Sequence, residues 1–257
     1  MTDLIHPLAA SFRLEGEEPE AFLMLHGWTG SPAHFRLAAQ FVNDRGFTVS
    51  VPRLAGHGTS LHHMMDTGSS DWVRSALEGL FELRDDHHTV HVVGLSMGGT
   101  IGLLMAATCD IASVTTINAP QRLHSRRVRL AKLRRRSRRI RQGIPSEPPV
   151  GAAADFWVQY GSSPVGTVSD LLDLMDAARA ALSRVRVPAV IVQSHADETV
   201  HPESARIIYD GLGSIEKRIV WLDRSRHVAL LDTERDRIHQ AIIAQVGAAG
   251  RRGEFSR

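Results

Sequence analysis

The chain has 257 residues, of which 43% are hydrophobic, so it can form one large α/β domain or two small ones and is not disordered over most of its length. Its net charge of +2 conceals one basic segment, residues 122–141, with eleven Arg or Lys and no acid, whereas the rest of the chain has 19 basic and 28 acidic residues. No uncharged apolar stretch approaches transmembrane length, and the chain does not open like a cleavable signal. We therefore expect a soluble, cytoplasmic protein, and the single cysteine, Cys109, agrees with a reducing compartment.

The first 90 residues predict two strands and two helices in alternation. The segment "EAFLMLHG" has the apolar run of a strand that enters a loop, and Ser31 with Pro32 forms an N-cap and first-turn proline for a helix that Gly46 ends. A second strand, "FTVSV", leads into the loop "PRLAGHGTS". Asp71 is placed to cap a further helix. The apolar face of that helix consists of Val73, Ala76, Leu77 and Leu80.

The stretch 90–100, "VHVVGLSMGGT", predicts a strand that meets a helix with almost no loop between them. The valines before it are β-branched, and residues 100–108 are rich in Leu, Met and Ala. Gly94, Ser96 and Gly98 fit the pattern GxSxG, in which the serine occupies a strained turn and its small neighbours let strand and helix approach closely. Because both flanking elements are present, we interpret Ser96 as a nucleophile and not as part of a chance Gly/Ser turn.

The alternation of strand and helix stops at Pro120 and resumes at residue 186. From there, strands in "RVPAVIVQSHADETV" and "KRIVWLD" alternate with helices over 202–212 and 233–246. This order predicts an α/β fold with a mainly parallel sheet covered by helices on both faces. We expect one domain whose core is 1–120 and 186–250, with an inserted helical cap at 121–185 and a tail at 251–257.

A serine hydroxyl needs a base that is itself held by a carboxylate, and both must come from strand ends on the same edge of the sheet. Asp197 directly follows one predicted strand and His227 follows the last one, in the chain order Ser, Asp, His. We therefore predict Asp197 as the acid and His227 as the base. The rival bases are His195, His201 and His239, and the rival acids are Glu198 and Asp223.

Acyl transfer also requires backbone donors for the oxyanion that forms in the reaction. The amide of Met97, next to Ser96, is the first candidate. The second should come from a loop after an early strand, and "LHGWTGSP" supplies a glycine-bearing turn there. We assign the second donor to the amide of Trp28.

Five stretches together resemble bacterial carboxylesterases and monoacylglycerol lipases of the α/β-hydrolase superfamily. They are "LHGWTGSP", "PRLAGHGTS", "GLSMGG", "QSHADETVHPESARIIYDGL" and "DRSRHVALLDTERDRIH". The resemblance covers nearly all of the core and is weakest in the cap. It implies Ser96 as nucleophile, Asp197 as acid, His227 as base, Trp28 and Met97 as oxyanion donors, and no metal or organic cofactor. In one departure, Arg226 precedes the histidine where these enzymes usually have glycine.

The basic segment 122–141 is open to three interpretations. Leu123, Leu130, Leu133 and Ile140 recur at helical spacing, which favours a cap helix that buries one apolar stripe and solvates its arginines. Weak contact with an anionic lipid surface or an acidic substrate is the second interpretation. Nucleic-acid binding is not expected, because no aromatic residue is interleaved to stack a base. The histidines at 57, 62 and 63 match no familiar metal site.

These observations predict a serine hydrolase that cleaves carboxylic esters, either short- to medium-chain esters or monoacylglycerols, through an acyl-enzyme. The same triad also serves thioesterases and carbon–carbon bond hydrolases, because fold and triad do not fix the substrate. A hydrolase-fold binding protein with slow turnover is the alternative from another class. The oligomeric state, the acyl chain length and the physiological substrate do not follow from the sequence.

Overall fold

A computed structural model of the chain describes residues 5–125, 128, 130, 132, 137–142, 148–149 and 151–246. For residue 152 it describes the backbone but not the side chain. Its centre is a seven-stranded sheet in the order β1-β3-β2-β4-β5-β8-β9. These strands are β1 Phe12–Leu14, β2 Glu20–Leu25, β3 Thr48–Val51, β4 Thr89–Leu95, β5 Ser113–Ile117, β8 Ala189–Ser194 and β9 Lys217–Leu222. Strand β1 runs antiparallel to β3 and every other pair is parallel, which confirms the predicted sheet.

Helices cover both faces of the sheet, as predicted. They are α1 Arg36–Asn43, α2 Leu61–Met65, α3 Ser69–Arg84, α4 Met97–Thr108, α5 Thr167–Ala181, α6 Glu203–Gly211 and α7 Arg235–Ile243. Alternate side chains of the buried strands belong to two apolar clusters on opposite faces of the sheet. Leu23 belongs to the cluster that includes residues of α3 to α6, whereas Phe22 belongs to the cluster that includes residues of α1 and α7. Because a strand buried on both faces needs apolar residues at every position, "AFLML" is continuously apolar.

Two helix starts differ from the sequence prediction. Ser31 lies in extended backbone before a 3₁₀ turn, Pro32–Phe35, and α1 begins only after it. Helix α3 begins at Ser69, so Asp71 lies in its first turn and its carboxylate accepts from the amide of Gly68 at 3.0 Å. Asp71 therefore stabilises the helix start from inside the helix.

The inserted region differs most from its prediction. Leu123 forms an isolated antiparallel bridge with Val200, and Ile140 begins strand β6 (Ile140–Gln142), which pairs with β7 (Ser162–Pro164). The helix predicted for residues 122–141 is therefore wrong at both ends, because pairing with distant segments overrides local helical spacing. Two members of its predicted apolar stripe are exposed, Leu130 at 60% and Ile140 at 46%, whereas Leu123 is partly buried.

One part of the inserted region, helix α5, agrees with the sequence prediction, and another part lies outside the described residues. Helix α5 confirms the helix predicted over residues 171–182, and it packs in the same apolar cluster as α3 and α4. Leu133 and Arg134 to Arg136 lie outside the described residues. The boundaries of the core, the cap and the tail stay a sequence prediction. Among the described helices, none is both long and apolar enough to cross a membrane.

Candidate active site

Ser96 occupies a strained turn between β4 and α4. Its φ of 53° and ψ of −118° lie where L-residues are rarely found. The glycines on either side leave no room for a side chain, because a Cβ at Gly94 would lie 2.2 Å from Gly98 C and a Cβ at Gly98 would lie 1.9 Å from Leu25 O. The strand and helix therefore approach closely, and the turn projects the Ser96 hydroxyl from the carboxyl edge of the sheet.

The three side chains predicted to act together are in hydrogen-bond contact. His227 Nε2 lies 3.0 Å from Ser96 Oγ, and His227 Nδ1 lies 2.8 Å from Asp197 Oδ2. An ionised carboxylate only accepts hydrogen bonds, so Nδ1 carries the proton and Nε2 is free to accept one from Ser96. The arrangement is that of a nucleophile, a base and a carboxylate that orients the base.

The second oxygen of Asp197 is held by backbone amides. The amides of Thr199 and Val200 each donate to Asp197 Oδ1 at 2.8 Å, and the whole residue is 2% exposed. His124 Nε2 contacts the carbonyl oxygen of Asp197 at 2.9 Å. These contacts fix the carboxylate so that Oδ2 faces the imidazole.

The electrostatics of the site favour protonation of His227. Burial of its ring lowers the pKa, but the charge of Asp197, its hydrogen bond to the ring and the charge of Glu198 outweigh burial, and the pKa is raised above 6.5. A base with a raised pKa is a stronger proton acceptor once it is neutral. The surroundings of the partly buried His227 ring therefore stabilise its protonated form.

The loop that carries His227 is organised by Glu234. The amides of Asp223, Arg224 and Ser225 donate to its two carboxylate oxygens at 2.8 to 3.1 Å. Burial raises the pKa of this carboxyl, but these hydrogen bonds outweigh burial and lower it to about 2. The carboxylate is therefore ionised at neutral pH and accepts hydrogen bonds from three consecutive amides of the loop.

Arg226 does not disturb this loop, although glycine is usual at its position. It is not among the described non-glycine residues with positive φ, which are Thr29, Ser96 and Asn118. Both its amide, at 2.9 Å, and its Nε, at 3.1 Å, donate to Asp232 Oδ2. The backbone therefore does not require glycine here, and the arginine adds a contact that glycine lacks.

The two predicted oxyanion donors belong to segments that border Ser96. Met97 is the first residue of α4, and the amides of a helix's first turn have no intrahelical acceptor. The loop with Trp28 passes close to the nucleophile, because a Cβ at Gly27 would lie 3.3 Å from Ser96 Cβ. Within the described part of the chain, the amide of Trp28 has no hydrogen-bond acceptor. The assignment of both amides as oxyanion donors stays a prediction.

The histidines and acids considered as alternatives to His227 and Asp197 make other contacts. His195 is exposed and stacks on Trp221 at 4.5 Å, His201 packs against His124 at 5.0 Å, and His239 is buried against Phe41. Glu198 Oε2 accepts from the backbone amide of His227 at 3.3 Å, so this acid lies beside His227 but does not contact its imidazole ring. Asp223 forms an ion pair with Arg237.

Asn118 is a site residue that the sequence analysis missed. It follows β5 with a φ of 48°, and its Nδ2 donates to the carbonyl oxygen of His227 at 2.9 Å while its Oδ1 accepts from the amide of Ser194 at 2.9 Å. It therefore ties the ends of β5 and β8 to the His227 loop. The signal was present in the sequence, because a polar residue directly follows the strand "SVTTI" at the same edge.

His26 and His57 support the neighbouring loops. His26 Nε2 accepts from the amide of Leu54 at 3.1 Å, and His57 Nδ1 contacts the carbonyl oxygen of Ala55 at 2.9 Å. Burial lowers the pKa of both rings, for His57 to about 4. Among the described residues, no group of three or more His, Cys, Asp or Glu side chains is arranged to hold a metal ion.

Comparisons of the chain with known protein families and proteins agree with this architecture. The model of the alpha/beta hydrolase family matches residues 22–241, so the chain belongs to that family. A carboxylesterase of Bacillus subtilis (strain 168) is 29% identical over 224 residues, 87% of this chain and 90% of that protein. A thermostable monoacylglycerol lipase of Bacillus sp. (strain H-257) is 37% identical over 224 residues, 86% of this chain and 87% of that protein.

Solved structures extend the likeness to three dimensions. One from work on LipS and LipT, two metagenome-derived lipolytic enzymes, is 31% identical to this chain with a TM-score of 0.87. The match covers 94% of this chain and 98% of the other. The similarity therefore extends over most of both chains.

Proposed function

We propose that Ser96, His227 and Asp197 form the catalytic triad of a serine hydrolase that cleaves carboxylic esters through an acyl-enzyme. Ser96 Oγ attacks the ester carbonyl carbon while its proton passes to His227 Nε2. Asp197 keeps the imidazole in the required tautomer and stabilises the imidazolium. The amides of Trp28 and Met97 bind the oxygen anion of the tetrahedral intermediate.

The intermediate then breaks down in two stages. His227 returns its proton to the alkoxide of the leaving alcohol, and the acyl group stays on Ser96. Water, deprotonated by His227, attacks the acyl carbon, and collapse of the second intermediate releases the carboxylic acid while the proton returns to Ser96. The chain is a carboxylic ester hydrolase, as its two curated relatives are. The proton transfers between Ser96 and His227 use the hydrogen bond already described.

The observation that carries this proposal is the continuous hydrogen-bond path from the strained Ser96 through His227 to the buried Asp197. A chance surface cluster of Ser, His and Asp would not require a serine at positive φ or a carboxylate held by two backbone amides, and both are present here. Strain of this kind persists where the surrounding structure enforces it, and it concentrates at functional sites.

The proposed substrate is a carboxylic ester with a short to medium acyl chain, or a monoacylglycerol. Support comes from the two curated relatives, one a carboxylesterase and the other a monoacylglycerol lipase. Cytoplasmic location and the absence of a nucleic-acid partner stay predictions from the sequence.

The ion pairs of the basic segment 122–141 favour contact with acidic side chains of the protein itself over contact with a lipid surface. Lys132 Nζ lies 3.0 Å from Asp173 and 2.6 Å from Asp176 of α5, and Arg138 lies 3.0 Å from Asp66. Arg122 is paired with Glu203. These exposed pairs are individually weak, about 0–1 kcal/mol, but they direct Arg122, Lys132 and Arg138 toward the protein. Contact with anionic lipid remains a secondary proposal.

A substrate panel tests the proposed function. Hydrolysis of p-nitrophenyl esters from acetate to palmitate should be measured beside monoacylglycerols, a matched thioester and a carbon–carbon bond substrate, with Ser96→Ala as the control. We expect turnover of the oxygen esters and none by the variant. A protein that binds the esters without turnover would be a binding protein, and preference for the thioester or the carbon–carbon bond would reassign the reaction.

Flotation with neutral and anionic vesicles at low and high salt tests the lipid contact. Salt-sensitive binding confined to anionic vesicles would support it, because exposed charges are screened within about 10 Å at 0.1 M ionic strength. We expect no binding to either kind of vesicle.

A further inference from the structure

The inserted region contacts the loop that carries the proposed second oxyanion donor. We call residues 26–31 the oxyanion loop and residues 157–160 the brace. The amide of Tyr160 donates to the carbonyl oxygen of Thr29 at 2.9 Å, and Ser31 Oγ donates to the carbonyl oxygen of Val158 at 2.7 Å. Two hydrogen bonds thus join the brace to the oxyanion loop, although the two segments are more than a hundred residues apart in sequence.

The brace is itself fixed to the core by the hydroxyl of Tyr160. This hydroxyl donates to the carbonyl oxygen of Gly56 and accepts from the amide of Thr59, at 2.9 and 2.8 Å. It lies 3.2 Å from the carbonyl oxygen of Ser60 as well. A single side chain therefore anchors the brace to the loop after β3.

The backbone that Tyr160 holds is strained. Thr29 has a φ of 62°, a conformation that costs a non-glycine residue of order 1 kcal/mol and persists only where neighbouring contacts enforce it. Three hydrogen bonds do so here. The Tyr160 amide donates to the carbonyl oxygen of Thr29, the Thr29 hydroxyl donates to the carbonyl oxygen of Trp28 at 2.6 Å, and the Gly30 amide donates to the carbonyl oxygen of Gly27 at 3.1 Å. Only the first comes from outside the oxyanion loop.

A second contact reaches the same loop through His34. Its ring lies against Gly30, where an added Cβ would be 3.0 Å from the ring, and it packs on the ring of Trp157 at 5.9 Å. The residue is 2% exposed and neither ring nitrogen has a partner among the described residues. The rings of His34 and Trp157 thus fill the space between the brace and the oxyanion loop.

We propose that Tyr160 is a positioning residue, which holds the oxyanion loop in its strained conformation so that the Trp28 amide faces the carbonyl oxygen of the substrate. The inserted region then supports the transition state. This inference rests on the proposed function, because it takes the Trp28 amide to be an oxyanion donor.

Replacing Tyr160 by Phe tests the inference, because the ring is kept and only the hydroxyl is lost. Complete loss of an oxyanion donor costs about 10²–10³ in kcat, and a donor that is loosened and not removed should cost less. We expect kcat to fall about tenfold with KM within about twofold of the parent. The pH midpoint of kcat/KM should not move, because the contacts of His227 are untouched.

Inhibitor binding separates positioning from a structural role. Ser96 Oγ adds to the carbonyl carbon of a trifluoromethyl ketone, its proton passes to His227, and the ketone oxygen becomes an anion. The affinity of the Tyr160→Phe variant for this inhibitor should fall by the same factor as kcat/KM. Tyr209→Phe, on α6, is the matched control and should equal the parent in both measurements.

Parental kcat and inhibitor affinity in folded Tyr160→Phe would overturn the inference, whatever the melting temperature. If that variant does not fold, Ser31→Ala decides, because it removes the other hydrogen bond to the brace: a few-fold loss of kcat at unchanged KM supports the inference and parental kcat contradicts it. Failure of the proposed function is recognised separately, by hydrolysis that survives in Ser96→Ala.

Discussion

His227 Nε2 lies 3.0 Å from Ser96 Oγ although 131 residues separate them in the chain. The distance is short enough for proton transfer, and it exists because both residues leave parallel strands or their loops at the same edge of the sheet. Their hydrogen bond depends on Asp197 on one side and on the turn of Ser96 on the other. Its chemistry leads to the predictions below.

The raised pKa of His227 predicts the pH dependence of catalysis. The imidazole must be neutral to accept the Ser96 proton, so kcat/KM should rise with pH through a midpoint above 6.5. Asp197→Asn removes the charge and the carboxylate hydrogen bond that raise this pKa and leaves the burial that lowers it. The midpoint should then move to lower pH, while kcat falls about 10⁴-fold.

Initial rates on an uncharged ester between pH 5 and 9 measure both effects. A parental midpoint below 6.5, or an upward shift in Asp197→Asn, would contradict the assignment of His227 as the base. Asp223→Asn is the matched control at a largely exposed acid and should leave the midpoint unchanged.

A second Ser-His-acid cluster lies at the opposite edge of the sheet and should not be catalytic. His91 contacts Ser113 Oγ at 2.7 Å and Glu20 Oε2 at 2.6 Å, and His91 and Ser113 are each 1% exposed. Ser113 begins β5 in regular strand backbone and has no strained turn. Ser113→Ala should retain kcat within about twofold and lose about 1 kcal/mol of unfolding free energy, the usual value of one buried hydrogen bond.

Urea unfolding and ester hydrolysis of Ser113→Ala provide the test, with Ser96→Ala measured in parallel. If folded Ser113→Ala lost its activity, the cluster of Ser113, His91 and Glu20 would take part in catalysis. The distinction between Ser96 and Ser113 would then be wrong.

The close approach of β2 and α4 should make Gly98 irreplaceable. A Cβ there would meet backbone atoms, 1.9 Å from Leu25 O and 2.7 Å from His26 O, so strand and helix would have to separate. A displacement of about 1 Å at a catalytic group costs on the order of 10² in rate. We expect Gly98→Ala to lose at least that much kcat/KM or to fail to fold.

Gly161→Ala is the matched control, because a Cβ at Gly161 has no neighbour within 4 Å. Its activity and melting temperature should equal those of the parent. Near-parental activity in Gly98→Ala would show that the turn tolerates a side chain and would remove the steric explanation of the GxSxG pattern.

Buried histidines should make the fold sensitive to acid. Burial lowers the pKa of His239 to about 4, whereas the unfolded value is about 6.5. The unfolded chain therefore binds this proton first, so the stabilising contribution of His239 is complete above pH 6.5 and is lost as pH falls toward 4. The slope for one such group is about 1.4 kcal/mol per pH unit.

Denaturant unfolding of His239→Met between pH 7 and pH 4.5 should show a pH dependence that is less steep by about that amount. Val42→Ala, in the same apolar cluster, should lower the stability at every pH without changing the slope. An unaltered slope in His239→Met would contradict the assignment of acid sensitivity to this residue.

The elements that a local pattern determines could be predicted from the sequence. The strand before Ser96 and the helix after it are adjacent in the chain, and Asp197 and His227 follow strand ends, so chain order and strand direction were enough to expect their meeting at one edge. The same reasoning extends to Asn118, which was overlooked.

The inserted region could not be predicted in this way because its contacts are long-range. Helical spacing of Leu123 and Ile140 indicated a helix, but these residues pair with Val200 and Pro164. Tyr160 meets Gly56 across 104 residues of sequence, and no local pattern marks it. Strand bridges and single hydrogen bonds between distant loops become visible only when the fold is known.

The identity of the nucleophile is the central claim, and active-site labelling tests it most directly. The parent should be treated with a fluorophosphonate, digested, and mapped by mass spectrometry beside Ser96→Ala and Ser113→Ala. We expect one stoichiometric adduct on Ser96 in the parent and in Ser113→Ala, and no adduct in folded Ser96→Ala. An adduct on any other residue of the parent, or labelling that survives in Ser96→Ala, would contradict the account.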